Sequence, residues 1–175
     1  MKYGFVKVCA ASPEIRVADC EFNAESIFSY IKKAHENKAK VAVFPELCIT
    51  GYTCADLFSQ KTLIDGAQKA LCALAELTQN MDIVCIVGAP LKVEQKLYNC
   101  AVVMYCGNIL AVIPKTNLPN YGEFYELRHF SPGKPGVREI VINNETVPFG
   151  TDILIRDKNI ENFALDYRGS AVIIS

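Results

Sequence analysis

The stretch Lys40-Val41-Ala42-Val43-Phe44-Pro45-Glu46 decides the fold class. Its apolar run is short and rich in valine, which favours a buried strand, and Pro45 ends the run because proline cannot donate to a strand ladder. Upstream, apolar residues recur at helical spacing from about Cys20 to Asn37, and a further strand is predicted from Tyr3 to Ala11. The order strand, helix, strand is typical of an α/β fold.

The same alternation continues downstream. A second amphipathic helix is predicted from about Lys61 to Thr78, followed by a buried strand from Ile83 to Ala89 that Pro90 closes. Two apolar runs then flank Gly107-Asn108, which predicts an antiparallel hairpin. Residues 114–136 have no clean period, and such a long loop is often functional. The strands of the hairpin and the shorter strands predicted after the loop are Tyr98–Tyr105, Ile109–Ile113, Ile140–Ile142, Asp152–Ile155, Asn162–Leu165 and Ala171–Ser175. We therefore predict one α/β domain with a mixed sheet.

Composition narrows the class of protein. The 175 residues are 51% hydrophobic and 21% charged, with a formal net charge of −1, so a nucleic acid or an anionic membrane is not expected as a partner. No apolar run reaches membrane-spanning length and no signal peptide opens the sequence, which predicts a cytoplasmic protein. Most of the eight cysteines lie inside apolar runs without a C-x-x-C pair. We expect them to be reduced and structural, with no metal site.

Two charged residues each follow an apolar strand directly. Glu46 lies at a strand's C-terminal end, the edge where ligands bind in open α/β sheets, and burial there would suit its carboxylate to act as a general base. The alternative is an acid that caps the following loop. Lys115 follows the hairpin and could stabilise an oxyanion or pair with a carboxylate. Its alternative is a solvated loop lysine.

Long collinear motifs give a family resemblance. Residues 44–52 (FPELCITGY) and 115–126 (KTNLPNYGEFYE) resemble the nitrilase or carbon-nitrogen hydrolase superfamily, and more closely the N-terminal glutaminase domains of glutamine-dependent NAD+ synthetases. Further marks of that subgroup are residues 52–58, 87–90 and 98–103. The resemblance implies a nitrilase-like α-β-β-α sandwich, here incomplete at its C-terminal side. Residues 1–175 would form a partial glutaminase domain.

The resemblance also assigns roles to particular residues. It implies that Glu46 is the general base, that Lys115 stabilises the tetrahedral oxyanion, and that Glu123 holds the lysine and the substrate in place. Tyr121 and Phe124 match positions that line the glutamine pocket. The implied reaction is hydrolysis of the side-chain amide of glutamine, and the ammonia would serve the ATP-dependent amidation of deamido-NAD+ to NAD+. The synthetase domain for that second step is not present in this chain. ATP and Mg²⁺ are implied for that domain only, no cofactor is implied for this one, and a homo-oligomer is expected.

The nucleophilic cysteine of the family pattern is absent. In the family it follows a later strand, whereas here residues 162–165 lead into Asp166-Tyr167-Arg168-Gly169-Ser170, and no cysteine occurs after Cys106. Cys48 and Cys54 lie near Glu46, but nothing adjacent would activate them. Either these 175 residues omit a segment of the protein that carries the nucleophile, or the protein itself has lost that segment and with it the amidase activity. A stand-alone hydrolase of another small amide and a catalytically dead fragment remain alternatives.

Overall fold

A computed structural model describes residues 5–122, 124–157 and 170–174. Seven strands form one sheet in the order β1-β2-β3-β4-β5-β7-β6, and β8 and β9 form a separate parallel pair. The predicted strand at 162–165 lies outside the described residues. The elements are β1 (Val8–Ala10), α1 (Cys20–Glu36), β2 (Val41–Val43), a 3-10 helix (Ala55–Ser59), α2 (Lys61–Leu77), β3 (Val84–Val93), β4 (Lys96–Tyr105), β5 (Asn108–Pro114), α3 (Glu126–His129), β6 (Val137–Ile142), β7 (Glu145–Gly150), β8 (Ile153–Asp157) and β9 (Ser170–Ile174).

The directions of the strands bring the ends of several strands to one edge of the large sheet. β1, β2 and β3 are parallel, while β4 runs antiparallel to both β3 and β5. The C-terminal ends of β2, β3 and β5 therefore meet at the same edge, where β4 begins. This is the edge at which α/β sheets usually bind ligands.

The two long helices match the predicted amphipathic segments closely. α1 begins at Cys20, where Asp19 caps it by accepting a hydrogen bond from the Phe22 N–H at 3.2 Å. Ile27 and Ile31 of α1 are fully buried, as are other apolar side chains on the inner face of α2. Each such aliphatic side chain contributes about 1.5–3 kcal/mol through burial. The α/β fold class is confirmed, and among the described residues no helix is both long and apolar enough to cross a membrane.

The first predicted strand begins at Val8 and not before it, the bounds of β3 were mispredicted, and β7 was missed. β3 does not stop before Pro90 but continues to Val93, with Pro90 opposite Asn99 of β4. The ladder between β2 and β3 ends at Ile86, so beyond that residue β3 has no partner strand on that side, and a missing N–H is tolerated there. β7, over Glu145–Gly150, was not predicted at all. Its residues alternate poorly, and it pairs with β6 through the turn at Asn143-Asn144.

Candidate active site

An ion pair joins the two charged residues that follow β2 and β5. The Lys115 Nζ lies 2.7 Å from the Glu46 Oε1, although the two residues are 69 positions apart. Backbone hydrogen bonds hold Lys115 on both sides: its N–H donates to the Asn99 carbonyl at 2.8 Å, and its carbonyl accepts from the Gly133 N–H at 2.8 Å. The sequence analysis predicted that each residue directly follows an apolar strand, and the structure brings the two together at one edge of the sheet.

The loop that carries Glu46 packs directly on the backbone of β3. A Cβ built on Gly88 would lie 2.8 Å from the Glu46 carbonyl carbon and closer still to the Pro45 oxygen and the Leu47 nitrogen. Only glycine allows this approach. Leu47 turns the chain with a φ of 51° and buries its side chain completely, a conformation that costs on the order of 1–2 kcal/mol for a residue with a Cβ. Because Leu47 points into the core, Glu46 is left at the surface of the edge.

A second carboxylate, Glu126, binds the same ammonium. Its Oε1 lies 2.9 Å from the Lys115 Nζ and accepts a hydrogen bond from the Tyr52 hydroxyl at 2.8 Å. The Glu126 side chain is 5% exposed, whereas that of Glu46 is 41% exposed. The expectation that Glu46 would be the buried carboxylate was therefore wrong, since burial falls on Glu126.

Sequence reasoning missed Glu126. The resemblance gave the role of holding Lys115 to Glu123, which lies outside the described residues. Both glutamates belong to the same acidic and aromatic segment, and no local pattern separates them. What distinguishes Glu126 is its position at the start of α3 and its partner Tyr52, which is 74 residues away. A contact of that range has no signal in a single sequence.

Asn99 completes the cluster from β4. Its side chain is buried, with 3% of the residue exposed, and its Nδ2 donates a hydrogen bond to the Glu46 Oε1. The same carboxylate oxygen therefore accepts from both Asn99 and Lys115. The sequence analysis placed Asn99 in a family motif but gave it no role.

The cluster carries two negative groups and one positive group. Partial burial alone would lower the pKa of Lys115, but its hydrogen bonds and attraction to Glu46 and Glu126 outweigh this and raise that pKa. Lys115 is thus cationic throughout the neutral range. Partial burial of the hydroxyl, followed by the hydrogen bond to Glu126, likewise raises the pKa of Tyr52 and keeps the phenol protonated as a donor.

The two aromatic residues predicted to bind substrate, Tyr121 and Phe124, contact each other. The rings of Tyr121 and Phe124 meet edge to face with centroids 5.7 Å apart, and the Phe124 N–H donates to the Tyr121 carbonyl at 3.0 Å. Tyr121 is 72% exposed. Their part in binding a substrate stays a prediction. The His129 ring packs against the Phe58 ring, with the two ring centroids 5.8 Å apart.

The cysteines near Glu46 are not activated thiols. Burial raises the pKa of Cys48 to about 11, and its Sγ faces the Gly88 carbonyl at 3.6 Å. Burial also raises the pKa of Cys54, whose Sγ donates to the Thr50 carbonyl at 3.1 Å. All eight cysteines are free, and most are buried. Thiols in such surroundings are inert, so neither residue replaces a catalytic nucleophile.

The charged cluster does not line the cavities found along β6 and α2. Three cavities lie elsewhere: two adjoin β6 and one lies along α2, and none is lined by Glu46, Lys115 or Glu126. Within 5–122, 124–157 and 170–174, no group of three or more His, Cys, Asp or Glu side chains could hold a metal ion. The chemistry on offer here is that of carboxylates, an ammonium and an amide.

The sequence of this chain is similar to those of several known proteins. The chain is 38% identical over 164 residues to the glutamine-dependent NAD(+) synthetase of Mycobacterium tuberculosis H37Rv, which covers 94% of this chain and 24% of that protein. It is 33% identical over 147 residues to the human protein of the same name, covering 78% and 21%. This chain thus spans about a quarter of the length of these relatives.

Solved structures agree with the sequence relatives. The crystal structure of a glutamine-dependent NAD(+) synthetase from Cytophaga hutchinsonii superposes with a TM-score of 0.79 at 26% identity, over 88% of this chain and 28% of that one. The sequence model for carbon-nitrogen hydrolases matches residues 6–164, which is most of the chain. The chain therefore belongs to the carbon-nitrogen hydrolase family.

Proposed function

We propose that this chain is the glutaminase part of a glutamine-dependent NAD+ synthetase and hydrolyses the side-chain amide of glutamine to glutamate and ammonia. One observation carries the proposal: the Lys115 ammonium is held at the ligand-binding edge of the sheet between Glu46 and Glu126. The names of the relatives support glutamine as the amide. The distance in sequence between the three residues argues against an accidental surface ion pair.

Each group of the cluster suits one step of amide hydrolysis. Attack of a thiolate on the amide carbon forms a tetrahedral intermediate whose oxygen becomes negative, and the Lys115 ammonium can stabilise that oxygen. Glu46, which is exposed enough to reach a nucleophile, takes the proton of the attacking thiol and passes it to the departing ammonia. Glu126 fixes Lys115 from the buried side. We retain Glu123 as a further substrate-binding or lysine-holding residue, and Tyr121 and Phe124 as walls of the glutamine pocket.

The attacking thiol is proposed to come from outside the 175 residues. The burial of Cys48 and Cys54 and the raised pKa of each support this proposal, because among the described residues they leave no activated thiol beside Glu46. The ammonia would pass to an ATP-dependent synthetase domain of the same polypeptide, where ATP and Mg²⁺ would act. The near-neutral composition gives no reason to expect a nucleic-acid or membrane partner. The cytoplasmic location and the homo-oligomer are proposals, and the homo-oligomer rests on the family resemblance.

The test is a glutaminase assay of the intact polypeptide, with its intact mass measured in parallel. A mass above 19.4 kDa together with a cysteine-containing peptide after Leu165 would show that the polypeptide carries a further thiol. Glutamine turnover should then fall by about a hundredfold or more in Glu46→Gln and in Lys115→Met, because a lost base or oxyanion donor costs that much. Lys61→Met is the matched control, since Lys61 pairs with Asp65 on the exposed face of α2, away from the cluster.

Other outcomes point to other functions. Turnover that survives Glu46→Gln would refute the role of Glu46 as base. Faster hydrolysis of butyramide than of glutamine would favour a stand-alone hydrolase of small amides. A mass of 19.4 kDa with neither turnover nor binding of glutamine would favour a fragment that serves only in binding or assembly, which the buried thiols already suit.

A further inference from the structure

The two oxygens of the Glu46 carboxylate have different surroundings. The Oε1 accepts from the Lys115 Nζ at 2.7 Å and from the Asn99 Nδ2. From the described part of the chain, no hydrogen bond reaches the Oε2. Because 41% of the Glu46 side chain is exposed, that second oxygen remains accessible at the edge of the sheet.

Asn99 is positioned to hold this asymmetry. It lies in β4, between β3, on which the Glu46 loop packs, and β5, which ends just before Lys115. Its backbone carbonyl accepts a hydrogen bond from the Lys115 N–H. One residue thus binds the backbone of the cation and the side chain of the carboxylate. A carboxylate only accepts hydrogen bonds, so the amide nitrogen of Asn99, and not its oxygen, must face Glu46.

The burial of Asn99 argues that this hydrogen bond has a purpose beyond packing. An amide with 3% exposure costs free energy unless its polar atoms are paired, and an apolar side chain of the same size would fill the space without that cost. Its Nδ2 is satisfied by the carboxylate that the proposed function uses as base. Without Asn99, Glu46 could rotate so that both of its oxygens contact the Lys115 ammonium.

We infer that Asn99 is a positioning residue for Glu46: together with Lys115 it occupies the Oε1 and reserves the Oε2 as the oxygen that takes the proton. The inference rests on the proposed function for the identity of that proton. In that step a lone pair of the Oε2 forms an O–H bond while the S–H bond of the attacking thiol breaks, which leaves a thiolate and a neutral carboxyl. The same proton then moves to the leaving nitrogen as the C–N bond of the amide breaks.

The kinetic test compares Asn99→Leu, which keeps the volume and removes the donor, with Asn99→Asp, which keeps the shape and offers only acceptors when ionised. In the intact polypeptide, kcat for glutamine should fall by about tenfold to a hundredfold in both, the size of a lost hydrogen bond to a charged group. KM should change less than about twofold, because the Asn99 side chain is buried and bonds to Glu46.

Thr78→Val is the matched control. Thr78 is also a buried polar residue, bonded to the Ala75 carbonyl and the Gly107 N–H far from the sheet edge. Its loss should lower the free energy of unfolding without lowering kcat for glutamine. A rise in KM with unchanged kcat in Asn99→Leu, or a fall in kcat no larger than that of Thr78→Val, would overturn the inference.

A second measurement separates this inference from the proposed function. In protein labelled with ¹³C at glutamate and ¹⁵N at lysine, Asn99→Leu should shift the Glu46 carboxyl signal and the Lys115 ammonium signal, while Thr78→Val shifts neither. Unchanged signals in Asn99→Leu would overturn the positioning role even if glutamine is hydrolysed. Shifted signals in a protein that hydrolyses no glutamine would instead keep the positioning and refute the proposed reaction.

Discussion

Replacement of Lys115 by methionine should destabilise the fold mainly through Glu126, although the lysine contacts two carboxylates. Glu126 is 5% exposed, and without Lys115 its charge would remain buried, with the Tyr52 hydroxyl as its one remaining donor among the described residues. Removing one partner of a buried ion pair costs about 3–5 kcal/mol, and the remaining Tyr52 hydrogen bond places the expected loss near the low end, about 3 kcal/mol. Glu46→Gln should cost only about 0–1 kcal/mol, because Glu46 is 41% exposed.

Urea unfolding followed by circular dichroism measures these differences, since the chain contains no tryptophan for fluorescence. The decisive variant is Lys115→Met combined with Glu126→Leu, in which the orphaned charge is removed as well. This double variant should recover most of the stability lost in Lys115→Met, as apolar replacements of buried ion pairs usually do. A loss below about 1 kcal/mol in Lys115→Met, or a double variant no more stable than the single one, would refute the reasoning.

Three further predictions concern the backbone, the pH dependence and the thiols. Gly88→Ala should cost about 1–3 kcal/mol and displace the Glu46 loop, because the new Cβ collides with backbone; Gly66→Ala in α2 has room for its Cβ and should be stabilising, so equal effects in urea unfolding would contradict the packing described. The raised pKa of Lys115 means that its contribution is complete below its ordinary value of 10.5 and is lost as the pH rises through the higher folded value. The difference in free energy of unfolding between the unchanged protein and Lys115→Met should therefore narrow only above about pH 10.5. A difference that narrows at neutral pH would show that the pKa of Lys115 is lowered and not raised. Iodoacetamide should modify partly exposed Cys72 before buried Cys48, as peptide mass mapping would report, and early labelling of Cys48 would reopen its candidacy as nucleophile.

The sequence predicted those parts of the fold in which local pattern and tertiary environment agree. α1 and α2 were predicted to within one residue at each end because their apolar spacing continues to the caps. The end of β3 was mispredicted at Pro90 because the rule that proline ends a strand assumes a partner strand on both sides. Beyond Ile86, β3 has no partner strand on the side of β2. β7 was missed because its burial depends on β5 and β6, and not on its own alternation.

The candidate site was predicted where residues follow strands and missed where distant elements meet. Glu46 and Lys115 could be found because each directly follows an apolar run, which places it at the sheet edge. Glu126 and Asn99 could not be distinguished from their neighbours in the same way. The partners that define them lie 74 and 53 residues away along the chain, and only the folded sheet reveals those contacts.

The different lengths of the strand ladders affect how the candidate site unfolds locally. Three residue pairs join β2 to β3, whereas nine join β3 to β4. An opening that releases β1, α1 and β2 would carry away the Glu46 loop and leave Lys115 and Asn99 on the intact hairpins. Amide hydrogens at Val43 and Phe44 should then exchange with solvent faster than those of β4, as expected of a separate cooperative unit. The base and the cation would belong to different units of local stability, so mild denaturant should disable the proposed chemistry before the sheet unfolds.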